Sequence, residues 1–388
     1  MKRSIGVGMV GYAFMGRVHS QAWRGVGAFF DLPLAPAMTA LAGRSPERTA
    51  EAARTLGWAS VETDWKDLLT REDVHIVDIC TPGDSHAEIA LAALEAGKHV
   101  LCEKPLANTV AEAEAMAEAA RAAAARGVRS MVAFNYRRVP AVALARRYVA
   151  EGRLGEIRSV RGVYLQDWLA DPEFPLVWRL QKDKAGSGAL GDIGAHVIDT
   201  AEFILGDRLT GVSGLTETFV KERPYAGDSA GLTGQGLADG KGPVTVDDAA
   251  LFLGRFSGGA IASFEATRFA AGRKNALRVE VSGSLGSLAF DFESLNELWY
   301  HDHTIPAEDS GFRRILVTEA GHPYAGAWWP PGHGLGYEHT FVHEVRDFLE
   351  AIGEGTDPAP SFEDGLHVQR VLAAVERSAA EESRWTAV

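Results

Sequence analysis

Lys104 stands between Glu103 and Pro105, directly after the apolar run His99–Cys102. An ammonium fixed there can exchange a proton with an alcohol oxygen. Pro105 biases the Lys104 backbone toward extended geometry. Asp192 and His196 lie four residues apart in a helical pattern and so share one face. An acid and an imidazole so placed can orient one hydroxyl and remove its proton. The preceding Gly186-Ser187-Gly188-Ala189-Leu190-Gly191 lets backbone approach a ligand closely. Alone, each has a plainer reading: a solvated strand-end Lys, a helix-capping Asp, a satisfied His.

A third motif gives them a common purpose. Gly11-Tyr12-Ala13-Phe14-Met15-Gly16 matches G-x-G-x-x-G except that Ala13 replaces the second glycine. It follows the run Ile5–Val10 and opens a helix, the context in which such a loop turns tightly and seats a pyrophosphate on a helix N-terminus. The next strand ends Leu41-Ala42-Gly43-Arg44-Ser45. A site selective for NAD usually has an acid there for the ribose hydroxyls. Gly43, followed by Arg44, Ser45 and Arg48, leans toward NADP or toward use of both cofactors.

The elements that must position these groups are legible as periodicity. Strand-like runs at Ile5–Val10, Met38–Ala42, Ile76–Cys80, His99–Cys102 and Arg129–Ala133 alternate with helical patterns. Those helices begin near Met15 and cover Pro46–Leu56, Ser85–Ala96 and Val110–Arg126. Alternation of this kind predicts a parallel, doubly wound sheet over residues 1–134. Residues 135–388 have another rhythm. Ile157–Gln166, Leu209–Glu217, Val246–Phe256, Ala260–Thr267, Leu277–Val281 and Ser287–Phe290 read as strands, with helices at Gly191–Leu205, Tyr337–Ile352 and Phe362–Glu381. That part is expected to be a second α/β domain with a large open, mostly antiparallel sheet. Gly227–Gly242 reads as a loop, as does His301-Asp302-His303, and no internal repeat is visible.

Composition narrows the class. The chain has 388 residues, a net charge of −13 and no long basic run, which argues against nucleic acid. Cys80 and Cys102 are too few for a disulfide framework or a zinc dehydrogenase, and read as buried small side chains suited to a reducing compartment. No metal is expected. Tyr-x-x-x-Lys, the short-chain dehydrogenase signature, does not occur. The start Met1-Lys2-Arg3 is followed by a run too short and glycine-rich for a signal peptide, and no apolar stretch could span a bilayer. A cytoplasmic protein without membrane contact is expected.

The motifs in this order resemble the glucose–fructose oxidoreductase and inositol dehydrogenase (Gfo/Idh/MocA) family. The carrying segments are Val10–His19, Thr81-Pro82-Gly83-Asp84-Ser85-His86, Gly97–Pro105 and Gly191-Asp192-Ile193-Gly194-Ala195-His196. Within the family, Met131–Arg138, Tyr164–Trp168, Trp178-Arg179 and Gly186–Asp192 are most similar to its anhydrosugar dehydrogenases, which oxidise a C3 hydroxyl with NAD. The resemblance implies a nicotinamide-dependent oxidoreductase acting on a secondary alcohol of a sugar, or, as alternatives, on an inositol or other polyol or glycoside. A non-enzymatic NAD(P)-binding sensor is the remaining reading, and the joint presence of Lys104, Asp192 and His196 speaks against it. By the same resemblance these three form the reaction centre and touch the substrate. Tyr12, Ala13, Phe14, Met15, Thr81, Pro82, His86, Glu103, Lys104, Asn135, Trp178 and Arg179 line the cofactor, and Tyr136, Gln166 and Trp168 meet the sugar. It further implies that the C-terminal sheet pairs subunits into a homodimer or homotetramer. Ala13 and Gly43-Arg44 depart from the family pattern.

Overall fold

The central parallel strands of the first half are buried on both faces, as a sheet covered by helices on both sides requires. The computed structural model describes residues 2–230 and 233–388, with side chains left aside at 228–238. The first half runs β1 (Arg3–Val10), α1 (Phe14–Phe29), β2 (Leu34–Ala42), α2 (Pro46–Leu56), β3 (Ser60–Glu62), α3 (Trp65–Thr70) and β4 (Ile76–Ile79). It continues through α4 (His86–Glu95), β5 (His99–Cys102), α5 (Val110–Ala124) and β6 (Ser130–Val132). The six strands lie in the order β3-β2-β1-β4-β5-β6, and each recorded pairing is parallel. The chain reverses its order beside β1, which places the crevice for a ligand beyond the carboxyl ends of β1 and β4. Local signals agree with the fold: Thr109 and Glu112 form a capping box at the start of α5.

The second half runs α6 (Pro140–Ala150), β7 (Ile157–Leu165), α7 (Lys182–Ala185), α8 (Ala195–Leu205), β8 (Leu209–Glu217), β9 (Glu222–Ala230), β10 (Thr233–Pro243), β11 (Ala249–Phe256) and β12 (Ile261–Thr267). It ends with β13 (Ala276–Gly283), β14 (Gly286–Asp291), β15 (Glu297–Asp302), β16 (Arg313–Leu316), α9 (Tyr337–Glu354), α10 (Phe362–Ala380) and β17 (Thr386–Ala387). Nine strands form a sheet ordered β16-β15-β14-β13-β7-β12-β11-β8-β17, antiparallel in its recorded pairs save β7 with β12. Helices α6 and α8 pack on one face. The alternation along β11 buries Phe252 and exposes Leu251 and Leu253, so the other face is open there. The expected fold class is borne out.

Two loop expectations, at Gly227–Gly242 and His301-Asp302-His303, need correction. The chain forms two compact units, one mainly Met1–Asn135 with Tyr337–Gln369, the other Tyr136–Asp228, Gly234–Gly336 and Arg370–Val388. Helix α9 returns to the first unit because its apolar face needs a partner, and α1 with its C-cap provides one: Tyr337 stacks on Phe14, Phe341 lies tilted against His19 and His343 meets Phe30 edge-on. Gly227–Gly242 is largely a two-stranded ribbon of β9 and β10, residues 231 and 232 lying outside the described residues. Its composition disfavours strands, and backbone pairing overrides it. His301 and Asp302 end strand β15 rather than sitting in a loop. Among the described residues no helix is long and apolar enough to cross a membrane.

Candidate active site

The glycine loop fits a dinucleotide. Gly11 has φ +96°, and a Cβ there would lie 2.8 Å from the Cys80 carbonyl oxygen. A Cβ at Gly16 would lie 2.3 Å from the Gly11 carbonyl oxygen, so neither position takes a side chain. Ala13 has φ −72°, ordinary for an L-residue, so its methyl group costs no backbone strain. No side chain caps α1 and no acid occupies its first turn, which leaves its N-terminal amides for an anion. Tyr12 and Met15 are half-buried, while Phe14 is exposed. The missing acid of β2 also has a structural reason. A Cβ at Gly43 would lie 2.2 Å from the Tyr12 ring, so Tyr12 fills the space an Asp or Glu would need. Arg44 and Arg48 are exposed beside a half-buried Ser45.

Lys104, half-buried, follows β5 on a shelf held from beneath. Glu103 is buried, and both of its oxygens are engaged: Oε2 accepts the Lys104 backbone N–H at 3.0 Å, and Oε1 faces His19 Nε2 at 3.0 Å. Glu103 therefore ties the Lys104 backbone to the buried His19. The other nitrogen of His19 faces both oxygens of Asp78 at 3.0 Å, and Asp78 also accepts the Trp23 indole N–H at 2.7 Å. Burial pulls the His19 pKa down, yet the charge of Asp78, its hydrogen bond and Cys80 together raise it well above the usual value. An imidazolium between two buried carboxylates satisfies both ring nitrogens. His19, Asp78 and Cys80 are close enough to share a metal. The hydrogen bonds already use both His19 nitrogens, and burial pushes the Cys80 thiol pKa up, away from the thiolate a metal needs. Cys80 is thus a polar member of this network: its thiol donates to Asp78 at 3.6 Å.

The remaining expected cofactor residues of this unit are also built in. His86 is buried, its two ring nitrogens facing the carbonyl oxygens of Thr81 at 2.9 Å and Pro105 at 3.0 Å. It ties the half-buried Thr81–Pro82 turn to the loop after Lys104. Asn135 is buried and donates from Nδ2 to the Thr340 hydroxyl at 2.8 Å.

The second unit carries the acid–imidazole pair. Leu190–Gly194 forms one π-helical turn, in which the Ala195 N–H bonds to the Leu190 carbonyl, and α8 follows directly. Asp192 lies in that turn and His196 opens α8, so the uniform helix expected from Gly191 contains a local widening of a kind often found at functional sites. Asp192 is half-buried and His196 buried. The Tyr136 ring packs on His196 with centroids 4.5 Å apart. From Tyr136 a chain of hydrogen bonds leads outward. Tyr164 donates its hydroxyl to Asn275 Oδ1 at 2.7 Å, so the 2.7 Å contact between the two tyrosines has Tyr136 as donor. Gln166 Nε2 donates to the same Asn275 oxygen at 2.8 Å, and Trp168 Nε1 donates to Gln166 Oε1 at 3.0 Å. Tyr136, Gln166, Trp168 and His196 thus belong to one connected patch. Trp178 and Arg179 form a separate pair in this unit, the guanidinium 4.3 Å from the indole centroid.

Sequence reasoning missed Tyr164 and Asn275 as members of that chain, and Arg268 beneath Asp192. Arg268 stands immediately after a strand ending in Thr267, and Asn275 sits in a polar turn before another strand. Strand-end polar residues were the available signal, and many such residues are merely solvated.

A doubly wound sheet whose glycine loop is open to pyrophosphate, with a following Lys on a rigid shelf, defines a dinucleotide-dependent oxidoreductase. The comparisons agree. Residues 5–134 match the family model for an oxidoreductase family with an NAD-binding Rossmann fold, and residues 142–289 match the GFO/IDH/MocA C-terminal domain. Levoglucosan dehydrogenase of Pseudarthrobacter phenanthrenivorans is 46% identical over 385 residues, covering 98% of this chain and 97% of that protein. A crystal structure of an oxidoreductase domain protein from Kribbella flavida superposes with TM-score 0.95 at 63% identity, covering all of both chains. A structure of levoglucosan dehydrogenase in complex with NADH and levoglucosan superposes with TM-score 0.93 at 44% identity, again covering all of both chains. The chain belongs to the Gfo/Idh/MocA oxidoreductase family, and the similarity to its anhydrosugar branch expected from the sequence is borne out.

Proposed function

We propose that this protein oxidises the C3 hydroxyl of a levoglucosan-like anhydrosugar with NAD, or reduces the corresponding ketone. The observation that carries the reading is the connected patch in the second unit. Trp168 offers an apolar face for a sugar ring, Gln166 is fixed by Trp168 and Asn275, and Tyr136 lies against His196. This patch sits in a chain closely similar, over almost its whole length, to an enzyme named for levoglucosan. Bound NAD supplies the two-electron acceptor chemistry. The side chains do the rest: Asp192 and Lys104 hold the alcohol oxygen, and His196, or Lys104 with it, takes the hydroxyl proton. The first unit is assigned to the dinucleotide. The second is assigned to the sugar and, through its open sheet face, to pairing subunits.

Absorbance at the reduced-nicotinamide band, across anhydrosugars, inositols, other polyols and glycosides, tests the reading. NAD and NADP are compared side by side, because the exposed Arg44 and Arg48 follow β2, the position from which an Arg accommodates a 2′-phosphate in such folds. Turnover is expected with levoglucosan and NAD. Lys104→Ala is expected to keep NADH binding and lose turnover. Faster turnover of an inositol or an open glycoside would move the assignment to that substrate, and binding of NADH without turnover of any polyol would indicate a sensor.

A further inference from the structure

We infer that Arg268 is a positioning residue for the reaction centre, fixing the carboxylate of Asp192 and supporting the sugar platform at Trp168. The inference rests on the proposed role of Asp192. Arg268 is fully buried, and a guanidinium removed from water needs partners. Its Nη1 donates to Asp192 Oδ2 at 3.5 Å, and its Nη2 donates to the Asp247 carbonyl at 3.1 Å. Nε, also buried, has no hydrogen-bond partner among the described residues. The guanidinium carbon lies 5.5 Å from the Trp168 ring centroid. One cation therefore touches both the acid of the proposed centre and the aromatic expected to face the sugar.

Its own placement is rigid. Arg268 follows the last residue of β12; its backbone N–H bonds to the Asp248 carbonyl, and its carbonyl accepts the Leu169 N–H, both at 3.2 Å. The loop leading to Asp192 is held by the same neighbourhood. Asp247 accepts the Gly188 N–H at 2.7 Å and the Leu190 N–H at 2.8 Å on its carboxylate, and the Ala189 N–H at 3.0 Å on its carbonyl. A Cβ at Gly188 would lie 1.7 Å from that carbonyl oxygen, which explains the glycine. Arg268 and Asp247 thus clamp the π turn from below. The fork of Arg268 reaches Asp192 and the Asp247 carbonyl together, which the single ammonium of a Lys does not reproduce. Asp248 and Arg223 are the other buried charges nearby; burial raises the Asp248 carboxyl pKa, opposed by the N–H groups of Val220 and Phe219 and by both arginines.

The test compares wild type, Arg268→Met, Arg268→Lys, Asp192→Asn and the two Arg268 changes in the Asp192→Asn background. Steady-state kinetics use the sugar that wild type accepts, and thermal unfolding runs in parallel. A lost hydrogen bond to a charged group corresponds to roughly ten- to hundredfold in rate. Arg268→Met is expected to lower kcat by about that factor while the KM for NAD stays near wild type, with Arg268→Lys between the two. In the Asp192→Asn background neither change should lower kcat further, because the carboxylate they act on is gone, while an effect carried through Trp168 is read separately as a higher KM for the sugar. Wild-type kcat in both Arg268 variants overturns the inference, as does a loss equally large with and without Asp192. If Arg268→Met does not fold, Arg268→Lys decides by the same comparison. Wild-type turnover in Asp192→Asn would instead refute the role of Asp192, and this inference with it.

Discussion

Replacing His19 by Asn should cost the first unit much of its stability. Asn cannot bridge Asp78 and Glu103, which both face the imidazole at 3.0 Å and are almost fully buried. Removing one partner from a buried charge pair costs about 3–5 kcal/mol. For a unit of this size each kcal/mol lowers Tm by about 2–4 °C, so a fall of roughly 6–20 °C is expected. The low end applies if one carboxylate takes up a proton once the cation is gone. The sign with pH follows from the raised pKa of His19. A group whose folded pKa lies above its unfolded value of about 6.5 gives its full stabilisation below that pH and loses it as pH climbs through the folded pKa. The Tm difference between wild type and His19→Asn should therefore be largest near neutrality and below, and should narrow in alkaline solution. Differential scanning calorimetry across that range is the assay. A Tm within about 1 °C of wild type, well below the shift expected for a broken buried pair, or a gap that widens with rising pH, would show that His19 is not the cation between two carboxylates.

Two further outcomes are expected. Gly11→Ala forces an L-residue to φ +96° with its Cβ 2.8 Å from the Cys80 carbonyl oxygen; a cost of about 1–2 kcal/mol in denaturant unfolding should accompany weaker binding in an NADH fluorescence titration, and unchanged affinity would remove the loop from the cofactor site. Leu251→Arg with Leu253→Arg places charges on the open face of β11; light scattering should then report a smaller assembly at an essentially unchanged Tm, and an unaltered mass would exclude this face as the pairing surface.

The Rossmann half was legible because its central strands are continuous apolar runs and most of its helices carry either a side-chain cap or a Gly stop. The sequence also carried Lys104, Asp192 and His196 to the right kinds of element, since a strand end and a helix start have local signatures. What it could not carry is which distant residues share a hydrogen bond. Tyr164, Asn275 and Arg268 come from a strand, a turn and a strand end, joined only by sheet register, and nothing local marks them. Glu103 shows the same limit: nothing local in the sequence marks its bond to His19, 84 residues away. The helix pattern of α9 was plain, but periodicity says only that an apolar face needs cover, not which unit supplies it.

That return of α9 has a consequence for synthesis. Its covering residues Tyr337, Phe341 and His343 are made long after Phe14, His19 and Phe30 have left the ribosome. At about 5–20 residues per second, the wait between Asn135 and Tyr337 is roughly 10–40 s. Until then the α1 residues that pack on α9 lack that cover, and a fragment ending at Asn135 never gains it.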